Sequence, residues 1–124
     1  MRIIDSFRYA VRGIAVAYRE ERQMKVHTVA AAVAVLCGAV ADLSRAEWAI
    51  LALTIAMVIT LELVNTAVER TVDMVTKEYH PLAEKAKDIA AGAVLVGAIA
   101  SVIVGICLFG TRVIEWMGGF LWIR

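Results

Sequence analysis

The run IAAGAVLVGAIASVIVGICLF, Ile89 to Phe109, contains no charged residue. It is long enough to cross the hydrocarbon core of a bilayer as a helix, which takes about 20 apolar residues. Two more apolar runs precede it, from about Val26 to Ala41 and from about Trp48 to Val64; the first is short but can be extended by its flanks. Three such runs in 124 residues leave little chain for anything else. The remaining composition agrees. Apolar residues make up 61% of the chain, whereas a soluble domain is closer to half, and the 20% that are charged are clustered. These features predict one integral-membrane domain over residues 1–124: an all-α membrane protein with spans at about 26–42, 47–70 and 84–109 and a C-terminal tail at 110–124. Pro81 suits the first turn of the third long helix. The opening residues are amphipathic and not continuously apolar, so no cleavable signal is expected. A net charge of +1 gives no reason to expect a nucleic-acid partner. Cys37 and Cys107 lie within apolar runs without Cys or His companions and read as small membrane residues.

Residues 2–20 form a separate element. At 100° per residue, Ile3, Ile4, Phe7, Val11, Ile14, Ala15 and Tyr18 fall in a sector about 120° wide, and the charged residues lie outside it. This is the pattern of a surface helix lying in the membrane interface. Glu21 lands at the edge of the apolar sector, which implies either a bend there or a function for its carboxylate. Of the 13 Lys and Arg residues, ten lie before the first run or within 70–88, and three lie on the other side: Arg45, Arg112 and Arg124. That asymmetry places the N-terminus and the 70–88 link in the cytoplasm and the C-terminus outside. Ala30, Ala34 and Gly38, and likewise Ala93, Gly97, Ser101 and Gly105, make small-residue stripes that let membrane helices approach closely. Trp116 and Trp122 are expected to anchor in the outer interface.

The inner end of the second run poses a chemical problem. Glu62, Asn65, Glu69 and Asp73, spaced three, four and four, fall within about 80° of one helix face. Three carboxylates on one stripe repel unless something positive compensates. The candidates are Arg70, Lys87 and Lys25, or a divalent metal; carboxylate oxygens suit Mg²⁺. A structural salt-bridge network and a proton or ion pathway are alternative readings. The second fits less well, because the acids crowd one end of the membrane. The sequence has no phosphate-binding glycine motif and no Ser-His-Asp arrangement, and His27 and His80 are lone histidines that read as interface or capping residues.

The segment ELVNTAVERTVD, residues 62–73, resembles the E-x-x-N-[ST]-A-x-E-x-x-x-D signature of the prokaryotic diacylglycerol kinase family. EYHPLAEKAKDIAAGAVL (78–95), FRYAVRGI (7–14) and EERQMKVH (20–27) are similar to that family as well, so the likeness covers nearly all of the chain before about residue 110. His27 and Pro81, in MKVH and YHPLAEKAKD, look more like the Gram-positive branch, which phosphorylates undecaprenol, than the diacylglycerol branch. The resemblance implies an ATP-dependent lipid kinase of the cell membrane. It implies a homotrimer with composite sites between neighbouring subunits at the cytoplasmic interface. It also implies Mg²⁺, held by Glu21 and Glu69, with ATP as phosphoryl donor and a lipid alcohol as acceptor. By the same resemblance Glu62 is the catalytic carboxylate, and Asn65 orients Glu62 or the lipid hydroxyl. Glu78, Tyr79, His80, Lys87 and Asp88 match nucleotide-contact positions, with Lys87 on a phosphate; Arg2 and Tyr9 match weaker ones. Asp73 is structural or supports its neighbours, and the surface helix and first span flank the lipid chain.

Overall fold

The structure, a computed structural model, describes residues 2–122. It contains four helices and, among the described residues, no strand. They are α1 (Ile3–Glu20), α2 (Arg22–Ala41), α3 (Arg45–Val75) and α4 (Pro81–Trp122). The last three are long and apolar enough to cross a membrane, so the expectation of an all-α membrane protein with three spans and a surface helix holds.

The α1 helix has Asp5 in its first turn and Arg19 in its last, each at the end where its charge favours the helix dipole. Most of its apolar face is open. Ile3, Ile4, Phe7, Val11 and Ile14 are all exposed, and only Ala17 is buried. An exposed apolar face opposite a charged one is what a helix lying in a lipid interface presents. The helix stops at Glu21, whose backbone is extended (φ −109°, ψ 116°) and whose N–H closes the last turn on the Ala17 carbonyl at 2.9 Å. The sequence signal at Glu21 thus coincides with a real break. A hydrogen bond between Tyr18 Oη and Thr28 Oγ1 brackets it, tying α1 to α2.

At the far end of the bundle, Asp42 closes α2 in the left-handed region (φ 55°), a conformation that Asp tolerates better than most residues. Ser44 then opens α3 with a capping box. Its Oγ accepts the Glu47 N–H, and the Glu47 carboxylate accepts the Ser44 N–H, both at 3.2 Å. Leu43 turns inward from this link and joins Ala41, Leu51 and Leu108 in the buried core. Arg112 reaches across from α4 to Glu47 at 2.9 and 3.1 Å.

Gly38 and Gly97 allow close helix contacts. A Cβ on Gly38 would stand 2.9 Å from Trp48 Cη2, and one on Gly97 would run into Leu61 Cδ1. Gly105, on the same stripe as Gly97, has nothing within 4 Å. It borders a groove instead. With 31 and 42 residues, α3 and α4 run about 46 and 63 Å at 1.5 Å per residue, longer than a hydrocarbon core of about 30 Å. The excess of α3 carries the acidic stripe. Part of the excess of α4 is the segment expected as a tail, which continues as unbroken helix to Trp122.

Candidate active site

The acidic stripe lies along the last turns of α3 and grades from buried to open. Glu62 is 4% exposed, Asn65 9% and Thr66 8%, while Glu69 and Asp73 are half-buried. Each acid has a different neighbour. Glu62 Oε2 faces His27 Nε2 of α2 at 3.5 Å. Glu69 Oε1 accepts the Asn65 side-chain amide at 3.3 Å and, among the described residues, has no cation within ion-pair distance. Asp73 accepts from Lys87 Nζ at 2.7 Å, which joins α3 to α4.

Arg70, next to Glu69 in the chain, points to the α1–α2 break. Its guanidinium donates to Glu20 Oε2 at 2.5 Å and to Glu21 Oε1 at 3.2 Å. Two of the expected compensators, Arg70 and Lys87, are therefore present but differently shared, and Lys25 makes no ion pair among the described residues. Arg70 serves the pair at the break, Lys87 serves Asp73, and the buried Glu62 faces a histidine. Asn65 directs its amide to Glu69 and not to Glu62, and its Oδ1 is enclosed without a partner.

Two spaces open at opposite ends of this stripe. An apolar groove of about 630 Å³ begins at His27 and runs toward the far end of the bundle, past Ala30 and Ala34, Thr54 and Val58, Ser101 and Gly105. At the other end, an open cleft of about 750 Å³ is lined by Thr76, Lys77, Glu78, Tyr79, His80, Lys87 and Asp88, among others. The α3–α4 link so gathers all five residues that the sequence assigned to nucleotide contact in this region. His80 also caps α4, its Nδ1 accepting the Leu82 N–H at 3.1 Å. The two spaces are separated by about 16.5 Å of α3, the rise from Glu62 to Asp73, and Glu69 lies between them.

Arg2 and Tyr9 are not drawn into the stripe by any ion pair or side-chain hydrogen bond among the described residues. Arg2 precedes α1, and the Tyr9 ring stacks under the Arg12 guanidinium at 5.7 Å. Glu21 and Glu69 form no cluster of three or more His, Cys, Asp or Glu with metal-holding geometry among the described residues. His27, expected as an interface or capping residue, instead faces Glu62 inside the bundle. Its signal was a single imidazole at the entrance of an apolar run, on the same side of the membrane as the acids.

The profile of the prokaryotic diacylglycerol kinase family matches residues 8–109. The chain is 47% identical over 108 residues to an undecaprenol kinase of Bacillus subtilis, covering 87% of this chain and 88% of the relative. It is 46% identical over 107 residues to a diacylglycerol kinase of Synechocystis, covering 86% of this chain and 61% of that relative. With a diacylglycerol kinase of Escherichia coli K12 the identity is 32% over 102 residues, or 82% and 84% of the two chains. The matched residues take in both spaces and the whole stripe between them, so the chain belongs to the prokaryotic diacylglycerol kinase family and is a membrane lipid kinase.

Proposed function

We propose that this protein is an undecaprenol kinase, transferring the γ-phosphate of ATP to the lipid hydroxyl at the cytoplasmic face of the membrane. The observation that carries the proposal is a nearly fully buried carboxylate, Glu62, 3.5 Å from His27, the residue that heads an apolar groove. A lipid alcohol offers one polar atom on a long apolar body. The groove suits the body, and Glu62 meets the polar atom. The 47% identity to the Bacillus undecaprenol kinase supports the choice of lipid. The 46% identity to the Synechocystis diacylglycerol kinase keeps diacylglycerol as the second reading.

In this proposal ATP occupies the cleft between α3 and α4, with its phosphates extending along α3 toward Glu69. Lys87, already committed to Asp73, turns to a phosphate or shares itself between the two. Glu62 accepts the proton of the lipid hydroxyl as that oxygen bonds to the γ-phosphorus. The bond from phosphorus to the bridging oxygen of ADP breaks at the same time. Glu69 is half-buried without a cation, and Glu21 is a few ångströms from its neighbour Arg70. A pair of carboxylates with no third protein ligand suits Mg²⁺, which completes its shell with water and phosphate oxygens. Glu21 and Glu69 would hold the ion, which offsets charge on the phosphates when bound.

Two further features complete the proposal. The cytoplasm lies on the side of α1 and the α3–α4 link, a placement that the ten-to-three bias of basic residues supports. The active form is a homotrimer whose neighbouring chains cover the groove and cleft that one chain leaves open. The test is a labelled-ATP assay of purified protein given undecaprenol and diacylglycerol side by side. Faster transfer to undecaprenol is expected; transfer to diacylglycerol alone would reverse the assignment.

A further inference from the structure

We propose that His27 is a second anchor of the acceptor hydroxyl, holding that oxygen against Glu62 at the head of the groove. The inference rests on the lipid-kinase reading of the same site and adds a residue to it. Its basis is an enclosed polar atom without a partner. His27 Nε2 is shut off from solvent, makes no hydrogen bond, and stands 3.5 Å from Glu62 Oε2. Asn65 Oδ1 and Thr66 Oγ1, on the same buried stretch of α3, are enclosed and unpartnered too. Buried polar groups are almost always satisfied, because an orphan costs its full desolvation. An orphan facing a buried carboxylate, with two more on the same stretch of α3, marks a place built for a polar guest.

The guest has a defined chemistry. An oxygen can sit about 2.8 Å from both His27 Nε2 and Glu62 Oε2 when those two atoms are 3.5 Å apart. A hydroxyl does this with correct polarity, donating its proton to the carboxylate while accepting the imidazole N–H. His27 also lines the apolar groove, so an alcohol bound this way extends its chain past Ala30 and Ala34 without turning. The imidazole is well held, since Thr28, the next residue, is bonded to Tyr18 and to the Met24 carbonyl. His27 neither gains nor loses a proton in the step. As the hydroxyl proton passes to Glu62, negative charge grows on the attacking oxygen and the bond from Nε2–H strengthens. That preference for the transition state makes His27 a contributor to rate as well as to binding.

His27→Ala and His27→Gln test the inference, since glutamine keeps an N–H donor near the Nε2 position and alanine does not. Initial rates are measured while lipid alcohol and ATP are varied independently. His27→Ala is expected to lower kcat/KM for the alcohol about 10- to 100-fold, the worth of one hydrogen bond to a charged group, with KM for ATP unchanged. His27→Gln is expected to recover most of the loss. A rate for His27→Ala within about twofold of wild type overturns the proposal. So does an equal loss in both variants, which would mark a packing role. Should the alanine variant not assemble, His27→Leu takes its place at similar volume, and equal rates for Leu and Gln again overturn it. Failure of the underlying reading looks different: the unsubstituted protein would phosphorylate neither lipid.

Discussion

Glu62 and Glu69 are two turns apart on one face of α3, and their surroundings differ. Glu62 is enclosed beside an imidazole at the mouth of an apolar groove, whereas Glu69 is half-open and has only an amide for company. Glu62→Gln preserves size and hydrogen bonding but removes the proposed proton acceptor. It is expected to cut turnover by about 10²- to 10⁴-fold, the usual worth of a general base, while Mg-ATP binding measured by equilibrium dialysis stays near wild type. Glu69→Gln should do the reverse, raising KM for Mg-ATP more than it lowers kcat for the lipid. Near-normal turnover by Glu62→Gln would refute the base assignment. The stripe itself was legible because helical spacing is a local property: 62, 65, 69 and 73 share a face in any helix. The partners of the stripe were not. His27 meets Glu62, and Arg70 meets Glu20 and Glu21, only after separate helices pack, and no periodicity within one segment reports such a contact.

Among the elements, the helix contacts with least slack are those at glycine. Gly38 packs on the Trp48 ring, so Gly38→Ala must push aside an indole edge 2.9 Å from the new methyl group. A loss of about 1–3 kcal/mol, typical of overpacking, is expected and would appear as earlier unfolding in mixed micelles. Gly97→Ala meets a movable leucine tip, Leu61 Cδ1, and should be milder in stability. Arg70 acts on a different joint. It clips the end of α1 and the extended Glu21 to α3, so Arg70→Gln should speed amide exchange over residues 17–23 and leave the core helices unchanged. A proton-exchange map with no local change there would rule out the clip. Sequence periodicity captured α1, its break at Glu21, and the three spans. It missed the continuation of α4 through residues 110–122. That segment holds glycines at 110, 118 and 119 and reads as a tail, but TRVIEWM between them contains no helix breaker. Arg112 within it is tied to the capping carboxylate Glu47, which needs tertiary structure to see.

At the scale of the whole molecule, one chain leaves much of its apolar surface open. Among the described residues, Leu53, the groove past Val58 and the exposed faces of α2 and α4 have no partner within the chain. The proposed trimer supplies one, and it makes a prediction that a monomeric kinase does not. Glu62→Gln and Lys87→Gln each disable a different end of the site. If the lipid end and the nucleotide end of one working site come from different subunits, mixed trimers contain some sites that are intact at both ends. Random assembly of equal amounts then restores up to about a quarter of wild-type turnover, since half the chains carry each intact residue and the two must be neighbours. If instead a single chain builds the whole site, every site in the mixture keeps one lesion and no activity returns. The measurement is the labelled-ATP assay on the two variants refolded separately and together in the same lipid. Inactive mixtures whose chains demonstrably exchange would place the site within one chain, with the trimer serving only to cover apolar surface.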